Sequence, residues 1–184
     1  AAIVTDDDRC TDKSNQEQYI SKDIDYDCSL PDFSAVVTKL RTGRPSDRYN
    51  KIVDLCRTAH ISVFCAPKTL EYALALTEAN IPYLLSAIID VHPQVGKTLF
   101  SQVGQLTNIY EKATCVWLFM RERSQQKAEV AQALTKRITD KKILIKRVDG
   151  SFEDSDSSGD FVVPGYIQNS IFSVTKEKID ANAD

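Results

Sequence analysis

Gly96-Lys97-Thr98 is the tripeptide in which a phosphate-binding loop ends, and it follows an apolar run at Tyr83–Asp90. The complete loop needs G-x-x-x-x-G-K-[ST], because backbone amides freed by the first glycine must close around the phosphates. That glycine belongs at position 91, where the chain has Val91, and Pro93 removes a further amide from the cradle. The tripeptide therefore reads as a turn between helices. A second pattern, Asp154-Ser155-Asp156-Ser157-Ser158-Gly159-Asp160-Phe161, matches the first half of a calcium loop. It offers oxygens at positions one, three and five, a glycine at six and an apolar residue at eight. Position twelve should carry a bidentate Glu and is Gly165, directly behind Pro164. Asp154, Asp156, Ser158 and Asp160 stand as a calcium candidate within what otherwise reads as a solvated acidic loop. No other metal or cofactor site is expected.

Nucleophilic catalysis needs a histidine beside a serine or cysteine. The chain has two histidines. His60 falls on an apolar stripe and reads as a hydrogen-bonded core residue, while His92 precedes Pro93 in a turn. There is no G-x-S-x-G and no H-E-x-x-H. The carboxylates concentrate in terminal segments that read as solvated, where acids stay unperturbed and work poorly as acid or base. The chain is not expected to be an enzyme.

Lys136, Arg137, Lys141, Lys142, Lys146 and Arg147 form a basic cluster, relieved only by Asp140. Such a cluster is a candidate site for a polyanion of the heparin type or for anionic lipid. Aromatic side chains for base stacking are absent from it, so nucleic acid is not an expected partner. The competing reading is a helix end whose bases complement the negative pole of the dipole.

Five cysteines, Cys10, Cys28, Cys56, Cys65 and Cys115, are too few for a disulfide-dense scaffold and show no CxxC spacing. If oxidised, Cys10 is expected to pair with Cys28 and Cys65 with Cys115, leaving Cys56 on a buried stripe. Cys56 and Cys65 are not expected to pair, because a continuous helix through both would separate them by about 13.5 Å. The chain begins at Ala1 and no signal-peptide pattern is present, which suggests a removed leader or a trimmed chain. Together with the dispersed cysteines this points to a secreted, disulfide-bonded protein, with a cytoplasmic protein of reduced cysteines as the alternative. No Asn-x-Ser/Thr sequon occurs.

These residues need elements to carry them. The chain has 184 residues, of which 42% are hydrophobic and 27% charged, values of an ordinary globular domain. Only 6 glycines argue against a turn-rich all-β protein. The longest apolar run, Val116–Met120, is far too short for a membrane span, so a soluble chain without a transmembrane segment is expected. Charge is segregated: residues 1–33 carry a net −6, residues 34–148 +9 and residues 149–160 −5. An acidic N-terminal segment (1–33), a helical core (34–148) and an acidic loop with a C-terminal appendage (149–184) of the same domain follow from this division.

Three- and four-residue spacing of apolar side chains predicts helices from Asp32 or Ser34 to Leu40, at Asp47–Ala66, Thr69–Ala79 and Tyr83–Asp90, and along Leu106–Ile138, the last as one long helix or two joined near Arg123. Ser14 is expected to cap a short helix to Ile24, Ser46 to cap the helix at Asp47, and Gly43 to end the preceding one in a left-handed conformation. Residues 1–13 read as solvated, Ile143–Val148 as a strand, and Phe161–Val174 as strands or a terminal helix. The fold class is all-α or α-dominated: a helical bundle with a small β or irregular C-terminal appendage. The function expected is non-enzymatic extracellular binding of a macromolecule or a small apolar ligand. The alternative is an intracellular helical adaptor with reduced cysteines.

Overall fold

The computed structural model describes residues 1–13, 15–21 and 27–181, with side chains to residue 175. The fold is α-dominated, 57% helical, and its strands form two sheets of two strands each. Strand β1 (Ala2–Asp6) leads into helices α1 (Phe33–Thr42) and α2 (Asp47–Thr58), and β2 (Ser62–Ala66) then returns parallel to β1. Helices α3 (Leu70–Ala75), α4 (Ile81–Val91), α5 (Pro93–Gln105), α6 (Ile109–Glu122) and α7 (Lys127–Asp140) follow. A β3–β4 hairpin (Lys142–Lys146 and Phe152–Asp156) and helix α8 (Gly165–Ala181) complete the order. No helix among the described residues is long and apolar enough to cross a membrane.

Two helices make the centre. In α6 every residue from Ala113 to Met120 is buried, and in α4 every residue from Tyr83 to Ile89. A helix apolar all round must be enclosed on all sides. Helix α7, α5 and the hairpin cover α4, while α3, α1 and α5 cover α6. Of the two alternatives for Leu106–Ile138, two helices are present: Arg123 ends α6, and a single 3₁₀ turn leads into α7. Asn80, fully buried, fastens the C-terminal segment to this core. Its amide donates to the carbonyls of Leu74 (3.1 Å) and Val162 (2.9 Å), and its oxygen accepts from the Val162 amide (2.8 Å).

Several expectations are corrected. The run Asp47–Ala66 is not one helix. Ser46 caps its start, accepting from the Tyr49 amide at 3.2 Å. At the other end His60 turns left-handed (φ 54°), its amide reaches the Arg57 carbonyl and that of Ile61 the Cys56 carbonyl. This pair of bonds is a Schellman stop. His60 is therefore exposed, not a core residue, and Ser-Val-Phe-Cys-Ala proceeds as β2. Residues 2–6 are a strand rather than a solvated lead, and Asp7 and Cys10 behind them are buried.

Gly43 ends α1 in an extended conformation (φ −63°), not a left-handed one. What it supplies is room, since a Cβ there would lie 2.6 Å from Cys10 Sγ and 2.5 Å from the Lys39 carbonyl. Gly96-Lys97-Thr98 lies inside α5, not in a turn, and a Cβ on Gly96 would lie 3.0 Å from Ile89 Cα, so this glycine lets α5 approach α4. The acidic loop contains β4, and the C-terminal stretch is helical from Gly165. Ser14 and residues 22–26, part of the expected first helix, lie outside the described residues, while 15–21 form turns. The N-terminal, central and C-terminal segments share structure: β1 pairs with β2, and α8 packs on both strands.

Candidate functional site

Strands β1 and β2 end side by side, at Asp6 and Ala66. Where parallel strands end, the loops leaving their carboxyl ends enclose a crevice that favours ligands. Both loops here bend through left-handed backbone, at Asp8 (φ 49°) and Cys10 (φ 63°) after β1 and at Lys68 (φ 67°) after β2. Among the described residues only His60 and Lys141 are otherwise left-handed without being glycine, and each terminates a helix. Side chains disfavour this conformation by about 1–2 kcal/mol per residue. Three such residues at one edge must be held in place.

Asp7 holds them. Its side chain is 1% exposed, and Oδ1 accepts from the backbone amides of Arg9 (3.1 Å) and Lys68 (2.8 Å). The Arg9 guanidinium grips Oδ2 through Nε (2.9 Å) and Nη2 (2.5 Å) and passes Nη1 to the Leu40 carbonyl (3.0 Å). The Asp7 carbonyl accepts from the Ser46 amide at 2.9 Å, tying the same loop to the start of α2. One carboxylate thus joins both strand-end loops, with α1 and α2 behind them.

The loops and α6 enclose a cavity of about 260 Å³. Its cations are Lys13, Lys68, Arg121 and Lys127, and no acid among the described residues lines it. Trp117, Tyr19 and Ile20 give it an apolar wall, and Thr11, Thr69 and Ser124 bring hydroxyls. The Lys68 ammonium lies 5.0 Å and the Arg121 guanidinium 5.2 Å from the centre of the Trp117 ring. Burial pushes the Lys68 ammonium below the usual lysine range, against the pull of Cys10, Asp8 and Asp7. Its Nζ donates to the Arg9 carbonyl at 2.6 Å. Lys127 reaches Glu71 at 3.0 Å. The Cys10 thiol donates to the Lys39 carbonyl at 3.2 Å, and burial raises its pKa, which keeps it a thiol. Beside the cavity, at the end of β1, Asp6 is pushed up to about 6, first by burial and then by Glu71 and Asp8.

Of the residues of this pocket only Cys10 was among the sequence candidates, and then as a disulfide partner of Cys28. The signals were present: Ala-Ile-Val-Thr followed by three aspartates, and Ser-Val-Phe-Cys-Ala closed by Pro67, are each a short apolar run with a polar stop. Such runs are ambiguous between strand and helix by periodicity alone.

The other residues singled out from sequence lie elsewhere. Four of the six bases of the expected anion site are ion-paired to this chain's own acids. Arg137 clasps Asp90 (Nη2–Oδ1 2.6 Å) and also Asp154, Lys141 meets Asp160 (2.8 Å), Lys142 meets Asp156 (2.7 Å), and Arg147 meets Glu153. The same contacts occupy Asp154, Asp156 and Asp160 of the calcium candidate, while the Ser157 hydroxyl beside Ser158 bonds the Gly159 carbonyl. Among the described residues no group of three or more His, Cys, Asp or Glu side chains is placed to hold a metal ion. All five cysteines, including Cys28, Cys65 and Cys115, are thiols with no disulfide between them. His92 is half-buried with its ring edge-on to Phe119 at 5.7 Å, far in sequence from any nucleophile of the strand-end loops. The chain matches no protein-family model, no curated protein and no solved structure, so its function is argued from the strand-end pocket itself.

Proposed function

We propose that this chain is a non-enzymatic binding protein that takes a small anion bearing a flat apolar group into the strand-end pocket. The observation that carries this is the lining: four cations and, among the described residues, no acid around one tryptophan, at the ends of two parallel strands. The groups with chemical potential are already employed in the scaffold. Asp7 is saturated by Arg9 and two amides, Lys68 is bonded to the Arg9 carbonyl, and the Cys10 thiol is held protonated by burial. An acid, base or nucleophile of the lining would need one of them at liberty, and Asp6, though pushed up to about 6, lies outside the lining.

Trp117 is the chain's single tryptophan, so its fluorescence reports on this pocket alone. Phenyl phosphate should quench or shift it saturably, and more tightly than inorganic phosphate or benzyl alcohol. Lys13→Glu, on an exposed part of the rim, should weaken phenyl phosphate about tenfold by replacing attraction with repulsion. Equal affinities for the three probes, or a Lys13→Glu protein that binds unchanged, would overturn the reading.

The five thiols support a reducing compartment over export. Alkylation without reductant followed by mass measurement should label five cysteines once the chain is unfolded. Fewer than five would restore the extracellular reading.

A further inference from the structure

A second cavity, of about 390 Å³, opens between α4, α5 and β3. Its walls are Ile81, Leu85, Phe100, Val103, Ile143 and Ile145. The polar atoms at its base are spent: the Leu144 amide donates to Ser86 Oγ (2.7 Å), which in turn donates to the Pro82 carbonyl (2.6 Å). Phe100 is fixed edge-on against Phe152, 5.1 Å between ring centres. The walls therefore offer an occupant mainly apolar contact surface, which favours an apolar body.

Gly104 lines the same cavity, and a Cβ there would meet nothing within 4 Å. Gly96, one helix face away, is required by the approach of Ile89. No such contact requires Gly104, although glycine within a helix costs stability. Its effect is to leave the cavity open.

The charge at the rim has one sign. Lys112 and Lys146 are the only ionisable residues of the lining. Lys112 is already paired with Glu78. Lys146 is exposed, faces Phe152 across the hairpin, and forms no ion pair among the described residues, unlike Lys142 and Arg147 on either side.

We propose that this cavity binds an aliphatic carboxylic acid, its chain against Leu85, Phe100, Val103 and Ile143 and its carboxylate at Lys146. The site is separate from the strand-end pocket, so each stands or falls without the other.

Decanoate is the probe and decanol its uncharged match, measured by calorimetry on the full chain. Decanoate should bind saturably at one site, with decanol about fivefold weaker, as befits an exposed charge contact. Lys146→Met, on an exposed position that leaves the fold alone, should bring decanoate down to the affinity of decanol and leave decanol unchanged. Gly104→Leu, which adds a better helix former in open space, should keep the melting temperature and weaken both probes about tenfold or more. The proposal is overturned by absence of saturable binding, by equal affinity of the two probes for the wild type, or by decanoate binding that survives Gly104→Leu. Binding that survives this substitution and quenches Trp117 would assign decanoate to the strand-end pocket instead.

Discussion

The strand-end loops and the β3–β4 hairpin are both built from aspartates set against lysines and arginines, yet they do opposite things with them. At the hairpin the charges cancel in water: Lys141 and Asp160 have side chains 68% and 83% exposed, and Lys142 and Asp156 are similar. At the strand ends one carboxylate, Asp7, is withdrawn to 1% exposure and bound by four donors of two residues, while the cations around the neighbouring cavity outnumber the acids. Pairing at the surface neutralises, and it contributes little to stability because water and salt compete. Pairing in the interior fixes backbone, and removing one partner leaves a charge that water cannot reach. Four bases of the cluster that dominates the sequence are thus neutralised at the surface, while a single aspartate in an acidic run is the structural hinge of the site.

The hardest test of that contrast is Asp7→Ala. It strands the Arg9 guanidinium and leaves two strained loops without their common acceptor, so unfolding in urea should show a loss of about 3–5 kcal/mol. A loss below about 1 kcal/mol would make the strand ends energetically equivalent to the hairpin and would end the comparison.

Arg137 lies between the extremes. Its side chain is 12% exposed, bidentate to Asp90 on α4 and bonded also to Asp154 on β4, so it clamps the hairpin to the central helix. Arg137→Ala should cost about 2 kcal/mol, in keeping with hydrogen bonds between charged groups. It should also speed amide exchange in β4 ahead of the rest of the chain. Uniform exchange would mean that the clamp is decorative.

How far these regions were legible in the sequence follows from the range of the interactions involved. The apolar stripes of α4 and α6 are local patterns, and they translate directly into buried helices. The charge balance between basic and acidic segments is also local, and the hairpin realises it as ion pairs. The strand-end site is not local: Asp7 meets Lys68 only because β1 and β2 pair in parallel across some sixty residues. Without knowing that pairing, three aspartates after a four-residue apolar run look like a solvated terminus. The helical spacing of Tyr49, Ile52, Val53 and Cys56 happens to extend to His60 and Val63, which hides the start of β2. Only the left-handed turn at His60, stabilised by two backbone bonds, separates helix from strand there.

Asp6 sharpens the contrast in another way, because it is an acid at the strand ends that makes no ion pair among the described residues. Its pKa is raised from 3.8 to about 6, so the folded chain holds that proton more tightly than the unfolded chain. The contribution to stability is therefore present in full below pH 3.8 and is lost as pH rises through 6. Asp6→Asn should be more stable than wild type near neutrality by about 1 kcal/mol, a value discounted for the half-exposed position. That advantage should shrink as pH falls towards 4. An advantage independent of pH between 4 and 7 would mean that ionisation of Asp6 is not what burial opposes.

The smallest effect belongs to the hairpin, and there the sign decides. Lys141 makes an ion pair with Asp160 at 2.8 Å, yet its backbone ends α7 in the left-handed conformation, φ 51°. Lys141→Gly removes the pair and relieves the backbone, since glycine takes that conformation without a clash at Cβ. If surface pairs are as weak as their exposure implies, the backbone gain wins and the urea midpoint rises. Lys142→Ala, which removes a similar pair from a strand with no strained backbone, should leave the midpoint where it was. A midpoint that falls in both variants would show that the hairpin pairs contribute as a network. The hairpin would then resemble the strand ends in kind, and differ from them only in degree.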